Sequence, residues 1–461
     1  MDKKYLKKSF LWKQRIGFGI CDFACNVAYI LVNTYLLFYY TDVAGIGAGP
    51  IGFMFVVTKF IDAGTDYMVG ALVDRTHTKM GQCRPWMLAG APVLAAGMVL
   101  LFCVPGSFGA TSKLIYAYAT YILFSFGYTL VNIPMGSAIP TLSPDPVERT
   151  NIVTVRMILA SLGSLMSASV VLPMVMRFSY NGADWARGYR LTNMVLAAIV
   201  IIVVFISVFT IKEIHPAPIP EKQESLLKDI KYIFKNKPFV LVWIECFLLC
   251  AGWLGTLSAM QYYFTYIIGD VSKMTLATSL MTAAQLIAQV LSSFANKHFG
   301  KRDILQAATV IQVVSYVGLL FCGKNLTLVY ILIFLVGFGL GARMVMFFSM
   351  TPDTTDYGYW KFGKSMSGTQ NAFNGFMNKF SSAAMSALIS ALLVWGHYDN
   401  ALTAQPASAI TAINLAFCGI PLLTCAISII IMSFYKLDKI YPQIKKDLDE
   451  NKFAFTSDNV N

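Results

Sequence analysis

Apolar residues run together along this chain for about 20 to 30 positions at a time, with no strict alternation that would mark half-buried strands. Six such runs fall at roughly 15–39, 50–73, 86–104, 113–140, 152–176 and 189–211. After a polar interval from Lys212 to Pro238, six more fall at roughly 239–268, 274–295, 304–322, 327–350, 366–395 and 407–434. At about 1.5 Å per residue, each can carry a helix across a hydrocarbon core about 30 Å thick. The pattern predicts an all-α polytopic membrane protein with twelve transmembrane helices in two six-helix bundles. The N-terminal bundle takes 1–214, a cytoplasmic linker 215–237, the C-terminal bundle 238–434 and a cytoplasmic tail 435–461.

Composition sharpens the picture. Of 461 residues, 56% are hydrophobic and 13% charged, about half the charged share of a soluble domain. A soluble enzyme is excluded, and no nucleophile–base constellation suggests an enzyme of any kind. The net charge of +12 resembles a nucleic-acid signal until its positions are read: about 26 Lys and Arg fall in alternate loops and about six in the others, the asymmetry that orients membrane proteins. Both termini are therefore expected in the cytoplasm, in a multi-pass protein of the cell inner (plasma) membrane, functional as a monomer, with no nucleic-acid partner. The nine cysteines are scattered singly, which indicates neither a disulfide framework nor a zinc site. Basic Met1–Gln14 leads into an apolar run too long, and without the cleavage site, for a signal peptide.

The halves echo each other. Tyr40-Thr41-Asp42-Val43-Ala44-Gly45 closes helix I and Phe264-Thr265-Tyr266-Ile267-Ile268-Gly269 closes helix VII, an offset of roughly 224 residues. That offset sets Asp74 beside His298 and brings Arg156 of helix V to within a residue of Lys379 of helix XI. Two such bundles on a charged linker follow the major-facilitator plan, whose substrate site lies between repeats near mid-membrane.

An ionisable group inside a bilayer costs several kcal/mol and is a functional candidate by default. Those at helix depth are Asp22, Lys59, Asp62, Asp66, Arg156, Glu245, Arg343 and Lys379. Lys59, Asp62 and Asp66 share one face of helix II. Two acids that close must share a cation, be offset by Lys59 or hold a proton. They form a candidate coupling-ion site, completed by Thr65 and a hydroxyl from a neighbouring helix; a purely structural Lys59–Asp62 pair is the competing reading. On helix IV, Pro134 frees the Leu130 carbonyl, and Thr129 and Asn132 lie a turn apart, facing either a polar ligand or a packing partner. Arg156 and Lys379, equivalent in the two halves, suit a ligand gripped from both. Tyr29, Tyr35, Tyr128, Tyr262, Tyr263 and Phe376 could supply a sugar-stacking face, although aromatics are common enough here to be bulk packing. Glu245 reads as a solvated or paired charge near a helix end, and Arg343 has no evident role. No histidine sits at mid-helix.

At the basic surface, Asp74 with Arg75 and Arg84 can form a charge cluster that holds one gate state. Asp353, Asp356 and Lys361 can do the same in the second half.

Six stretches carry a resemblance: Tyr39 to Gly45; Asp62-Ala63-Gly64-Thr65-Asp66; Gly70 to Trp86; Val131-Asn132-Ile133-Pro134; Tyr262 to Asp270; and Asp353 to Gly358. Together, and in order along the whole chain, they resemble the glycoside–pentoside–hexuronide:cation symporter family, the melibiose-permease-like branch of the major facilitators. The resemblance implies a secondary active transporter that needs no cofactor and moves a small sugar with a monovalent cation, Na⁺ or H⁺. It implies cation ligands at Asp62, Asp66 and Thr129, with Thr65 where the melibiose permease has an Asn; Asp62 and Asp66 would hold the metal if the ion is Na⁺. For the sugar it implies Arg156 and Lys379. Asn26 and Asn132 stand where that relative has carboxylates, and Gly136 where it has a Trp; Asp22, one turn before Asn26, partly replaces the lost charge. The exchange leaves a more cationic cavity suited to a hexuronide, while Asn serves a neutral xyloside equally well. A lipid or lysolipid transporter on the same fold is the alternative from another class.

Overall fold

The structure, a computed structural model, describes residues 8–76, 78–143, 146–214, 234–296, 298–363, 367–400, 402, 405–450 and 452–454. Its elements are α1 (Lys8–Phe38), α2 (Ala48–Asp74), α3 (Arg84–Leu101), α4 (Ala110–Leu142), α5 (Pro146–Phe178), α6 (Trp185–Thr210) and α7 (Lys237–Tyr262). There follow α8 (Met274–Ala295), α9 (Lys301–Phe321), α10 (Leu326–Phe362) and α11 (Ser367–Trp395). The last are α12 (Ala407–Ser433) and the short α13 (Leu437–Asp449). No strand forms among the described residues. Among the described residues, eleven helices are long and apolar enough to cross a membrane. Outside that set are the short α13 and α2, 27 residues long, which carries Lys59, Asp62 and Asp66. The expected linker falls at 215–233 outside the described residues, and the expected tail contains α13.

Contacts divide the chain into two compact units. One is Met1–Ile219 with Asp270–Ser279 and Tyr398–Gln405; the other is Pro220–Gly269, Leu280–His397 and Pro406–Asn461. Within the first, α1 lies on α5 and α6, α3 on α4 and α6, and α2 on α4. Glycine permits close approach between α1 and α5. A Cβ on Gly163 of α5 would stand 2.5 Å from the Phe23 carbonyl oxygen of α1, and one on Gly19 of α1 would stand 2.6 Å from the Leu159 side chain. The α1–α5 crossing is therefore nearly backbone to backbone, close packing of the kind small residues permit between membrane helices. Within the second unit, α7 lies on α10, α11 and α12, α9 on α10 and α12, and α13 on α10.

Each unit repeats one irregularity. A π-helical turn follows α1 at Tyr39–Val43 and follows α7 at Tyr263–Ile268. Gly45 and Gly269 then take positive φ, 69° and 81°, so the ~224-residue sequence echo is also an echo of backbone shape.

Candidate functional site

The polar stripe of α2 meets a hydroxyl-bearing stripe of α4. Asp62, 2% exposed, receives a short hydrogen bond from the Ser125 hydroxyl at Oδ1, and Thr129 Oγ1 donates to Asp66 Oδ1 at 2.8 Å. Lys59 Nζ lies 3.3 Å from Asp62 Oδ2, donates to the Tyr121 hydroxyl at 2.9 Å and stands 5.4 Å from the centre of the Tyr121 ring. Tyr121, Ser125, Thr129 and Asn132 follow one another at about one turn along α4, so a single face of that helix serves both acids. Ser125, a second hydroxyl on this face, is one that sequence reasoning missed. Its helical spacing from Thr129 is the signal that finds it. Thr65 turns its hydroxyl to the Asp62 carbonyl oxygen, 2.9 Å away, a bond onto its own helix rather than toward the carboxylates.

Where α1 and α5 cross, Arg156 Nε donates to Asp22 Oδ2 at 2.7 Å, and Asp22 is 8% exposed. Asn26, one turn on, donates from Nδ2 to the Asp22 carbonyl at 2.9 Å and reaches Asp22 Oδ1 at 3.3 Å. Ser164 of α5 approaches Asn26 Oδ1 at 3.4 Å. The cluster is one carboxylate, one guanidinium and two neutral groups, so Arg156 is compensated within its own unit and is not a bare cation. Nearby, the Tyr29 and Tyr128 rings stand 6.1 Å apart. Asn132 is half-buried within α4, and a Cβ added at Gly136, one turn on, would meet open space.

In the second unit, Lys379 is half-buried on α11, one turn from Gly375, where an added Cβ would also meet open space. Glu245 is not a solvated helix end. It and Arg343 are 1% exposed, with Arg343 Nη2 at 2.8 Å from Glu245 Oε1. Ser428 donates to Glu245 Oε2 at 2.5 Å, and Arg343 Nη1 donates to Gln312 Oε1 at 2.6 Å. Four helices, α7, α9, α10 and α12, thus meet at a fully satisfied buried ion pair.

The loops depart from the expected charge clusters. Arg84 does not form an ion pair among the described residues: its Nε donates to the Val208 carbonyl at 2.7 Å and its Nη1 to Met80 O at 3.1 Å. The acid that organises this loop is Glu213, which accepts from the backbone N–H groups of Gln82, Cys83 and Arg84 at 2.7, 2.9 and 2.9 Å. A carboxylate here satisfies the unpaired amides at the start of α3 and complements its dipole. Arg75 is exposed, and the Asp74 side chain lies outside the described residues. The second unit repeats the clip. Asp438 accepts from the Arg302 N–H at 2.7 Å, and Arg302 Nε donates to Met432 O at 3.0 Å. Asp353 pairs with Lys301 at 2.6 Å, Asp356 accepts from the Tyr441 hydroxyl of α13 at 2.7 Å, and Lys361 donates to the Tyr357 hydroxyl at 2.9 Å. Sequence reasoning missed Glu213 and Asp438 because each acts from just beyond the sixth helix of its half on the start of the third.

Two compact units of apolar helices that keep acids and bases inside describe a transporter, and comparison with known proteins agrees. Residues 17–439 match the family described as MFS/sugar transport protein. The isoprimeverose transporter of Lactiplantibacillus pentosus is 32% identical over 95% of this chain and 91% of its own length. A putative glycoside/cation symporter of Escherichia coli, YagG, is 29% identical over 96% of each. The glucuronide carrier protein homolog of the same species is 26% identical over 97% of each. The fold is similar to that of the nucleoside transporter NupG, with a TM-score of 0.65 at 13% identity over 91% of this chain and 99% of that one. The chain is a multi-pass membrane transporter of sugars and not an enzyme: it belongs to the MFS/sugar transport protein family, in its glycoside–pentoside–hexuronide:cation symporter branch.

Proposed function

We propose that the protein imports a neutral glycoside, of the xyloside type, together with one kind of monovalent cation, by alternating access. The observation that carries this is the pairing of two helices: Asp62 and Asp66 on one stripe of α2 each receive a hydroxyl from α4, Ser125 and Thr129. Carboxylate and hydroxyl oxygens are hard ligands for Na⁺, and paired acids at low dielectric equally hold a proton. Asp62, Asp66, Thr129 and Ser125 are the cation ligands in this reading, and Thr65 is dropped to a supporting role because its hydroxyl serves its own helix.

Asp22, Asn26, Asn132, Arg156 and Lys379 are the sugar ligands in this reading, as the family resemblance implies. The substrate's charge follows from the 2.7 Å Arg156–Asp22 contact. A compensated guanidinium offers hydrogen bonds without demanding an anion, which favours an uncharged sugar over a hexuronide. The relative named for isoprimeverose, an uncharged disaccharide, points the same way. The excess of Lys and Arg in alternate loops supports both termini in the cytoplasm and a place in the inner membrane; α2 is then the twelfth span, its charges turned to α4. Lys301–Asp353, with the Glu213 and Asp438 clips, supplies gate contacts at the basic surface. Counterflow in vesicles preloaded with isoprimeverose tests the substrate. Labelled isoprimeverose should exchange and a labelled glucuronide should not; the reverse would overturn the neutral-sugar reading.

A further inference from the structure

Within the first unit α3 lies on α6, yet where alanines of the two helices face each other they leave a groove of about 470 Å³. Buried Ala95 and Ala197 form its floor, and Leu100, Met194 and Ile201 stand along its walls. Every residue that lines it is apolar, and it is open along one side. Met194 shares the groove with Leu100, the residue before the end of α3, yet stands well inside α6. The start of α6 therefore projects about two and a half turns past the end of α3. On that projecting part, Arg190 precedes Met194 by one turn on the same face. It is exposed and lies within electrostatic reach of Cys103, just past α3. Tyr116 donates its hydroxyl to the Leu100 carbonyl at 3.0 Å, and Trp185 opens α6. Aromatic residues of the kind that gather at a membrane boundary thus mark this level.

The charge here runs against the rule for its side. About six basic residues fall in the less basic set of loops, and three of them, Arg177, Arg187 and Arg190, belong to the junction of α5 and α6. The acid between them, Asp184, caps α6 by accepting from the Arg187 N–H at 2.9 Å. Arg187 Nη1 donates to the Tyr180 hydroxyl at 2.5 Å, and its guanidinium stacks on that ring. Arg190 stands beside the groove.

We propose that the α3–α6 groove and Arg190 form a seat for one anionic phospholipid, its phosphate on the Arg190 guanidinium and an acyl chain along the alanine floor. An acyl chain gains little hydrophobic free energy by moving from lipid to protein, so the groove contributes contact and the headgroup contributes selectivity. A guanidinium matches a phosphate with two parallel hydrogen bonds, and a net positive junction favours a headgroup that carries no ammonium. A helix from a second copy suits the groove less well, because it would cover Arg190 with apolar surface, and a charge turned into hydrocarbon is costly.

Native mass spectrometry and thermal unfolding of the full chain in detergent test the seat, with dioleoyl phosphatidylglycerol, dioleoyl phosphatidylcholine or inorganic phosphate added. Wild-type protein should retain one phosphatidylglycerol in preference to phosphatidylcholine and unfold at a higher midpoint with it, and inorganic phosphate should change nothing. Arg190→Gln should weaken phosphatidylglycerol binding about fivefold, the attraction of one basic residue for an anionic surface, and leave phosphatidylcholine unaffected. Ala198→Trp, which fills the groove from an exposed position, should weaken both lipids. Arg187→Gln, whose charge is engaged by Tyr180, should bind as wild type does. The proposal is overturned if wild-type protein takes both lipids equally, if inorganic phosphate stabilises as well as the lipid, or if Arg190→Gln keeps full phosphatidylglycerol binding. It is equally overturned if Arg187→Gln loses as much as Arg190→Gln, or if Ala198→Trp abolishes a dimer rather than a lipid adduct. Should Ala198→Trp fail to fold, the two arginine variants decide, since neither side chain belongs to the buried core.

Discussion

Arg156 and Asp22 meet at 2.7 Å across a close helix crossing in the first unit, where Gly163 and Gly19 leave no room for a Cβ. On the proposed function, the same contact that holds α1 to α5 sets the charge a substrate would meet there. Breaking it from either side should have opposite effects on substrate choice. Asp22→Asn leaves Arg156 uncompensated, and we expect a glucuronide to begin competing with isoprimeverose in counterflow. Arg156→Gln leaves a lone acid and should reject a glucuronide further. Equal effects on both sugars from both variants would contradict the compensated-pair reading.

The crossing itself is testable without touching a charge. Gly163→Val places side-chain atoms where the Phe23 carbonyl already stands 2.5 Å from an added Cβ, so α1 and α5 must separate and the Asp22–Arg156 contact must lengthen. Sugar binding to purified protein should fall at least tenfold. The proposed cation ligands Asp62 and Asp66, on α2 against α4, should keep their function in the exchange that remains.

The second unit predicts a stability effect. Removing one member of a buried ion pair strands the other, at about 3 to 5 kcal/mol. Arg343→Met or Glu245→Leu should therefore sharply lower the thermal unfolding midpoint in detergent. The double variant should cost less than the sum, since it leaves no buried charge unpaired. Additive losses would contradict the mutual satisfaction of this pair at 2.8 Å.

At the loop before α3, Gly81 has φ of 112°, and an added Cβ would sit 2.5 Å from Glu213 Cδ. Gly81→Ala should cost about 1 to 3 kcal/mol through backbone strain. Glu213→Ala orphans three amides and should lower the unfolding midpoint more than Glu213→Gln, which keeps one acceptor oxygen. Equal midpoints for the two Glu213 variants would contradict its role as an amide cap.

Much of the fold was legible because a bilayer imposes length and polarity on each span separately: the run expected at 113–140 became Ala110–Leu142. Asp62 and Asp66 were legible for the same reason, as charges where charges are costly. What escaped depended on contacts between helices. Glu245 and Arg343 lie 98 positions apart, and nothing in either local sequence announces the other. The cavity around Arg156 read as more cationic, with Asp22 only partly replacing the lost charge, because the α1–α5 crossing that brings Asp22 against Arg156 is set by two glycines, which look like any small residues in an apolar run. Thr65 read as a ligand by its place between two acids, yet a threonine hydroxyl in a helix readily finds the carbonyl three or four residues back. Ser125 carried only its spacing one turn before Thr129, a signal that gains meaning once the register of α4 against α2 is known.

The central claim is that Asp62 and Asp66 catch and release a small cation while a sugar crosses. The most direct measurement is isoprimeverose accumulation in proteoliposomes, with inward Na⁺ and H⁺ gradients imposed one at a time, for wild-type protein, Asp62→Asn and Asp66→Asn. We expect one gradient to drive accumulation in the wild type, and either substitution to abolish it while sugar exchange at equilibrium partly persists. Accumulation that either substitution leaves unchanged, or wild-type uptake indifferent to both gradients, would contradict it.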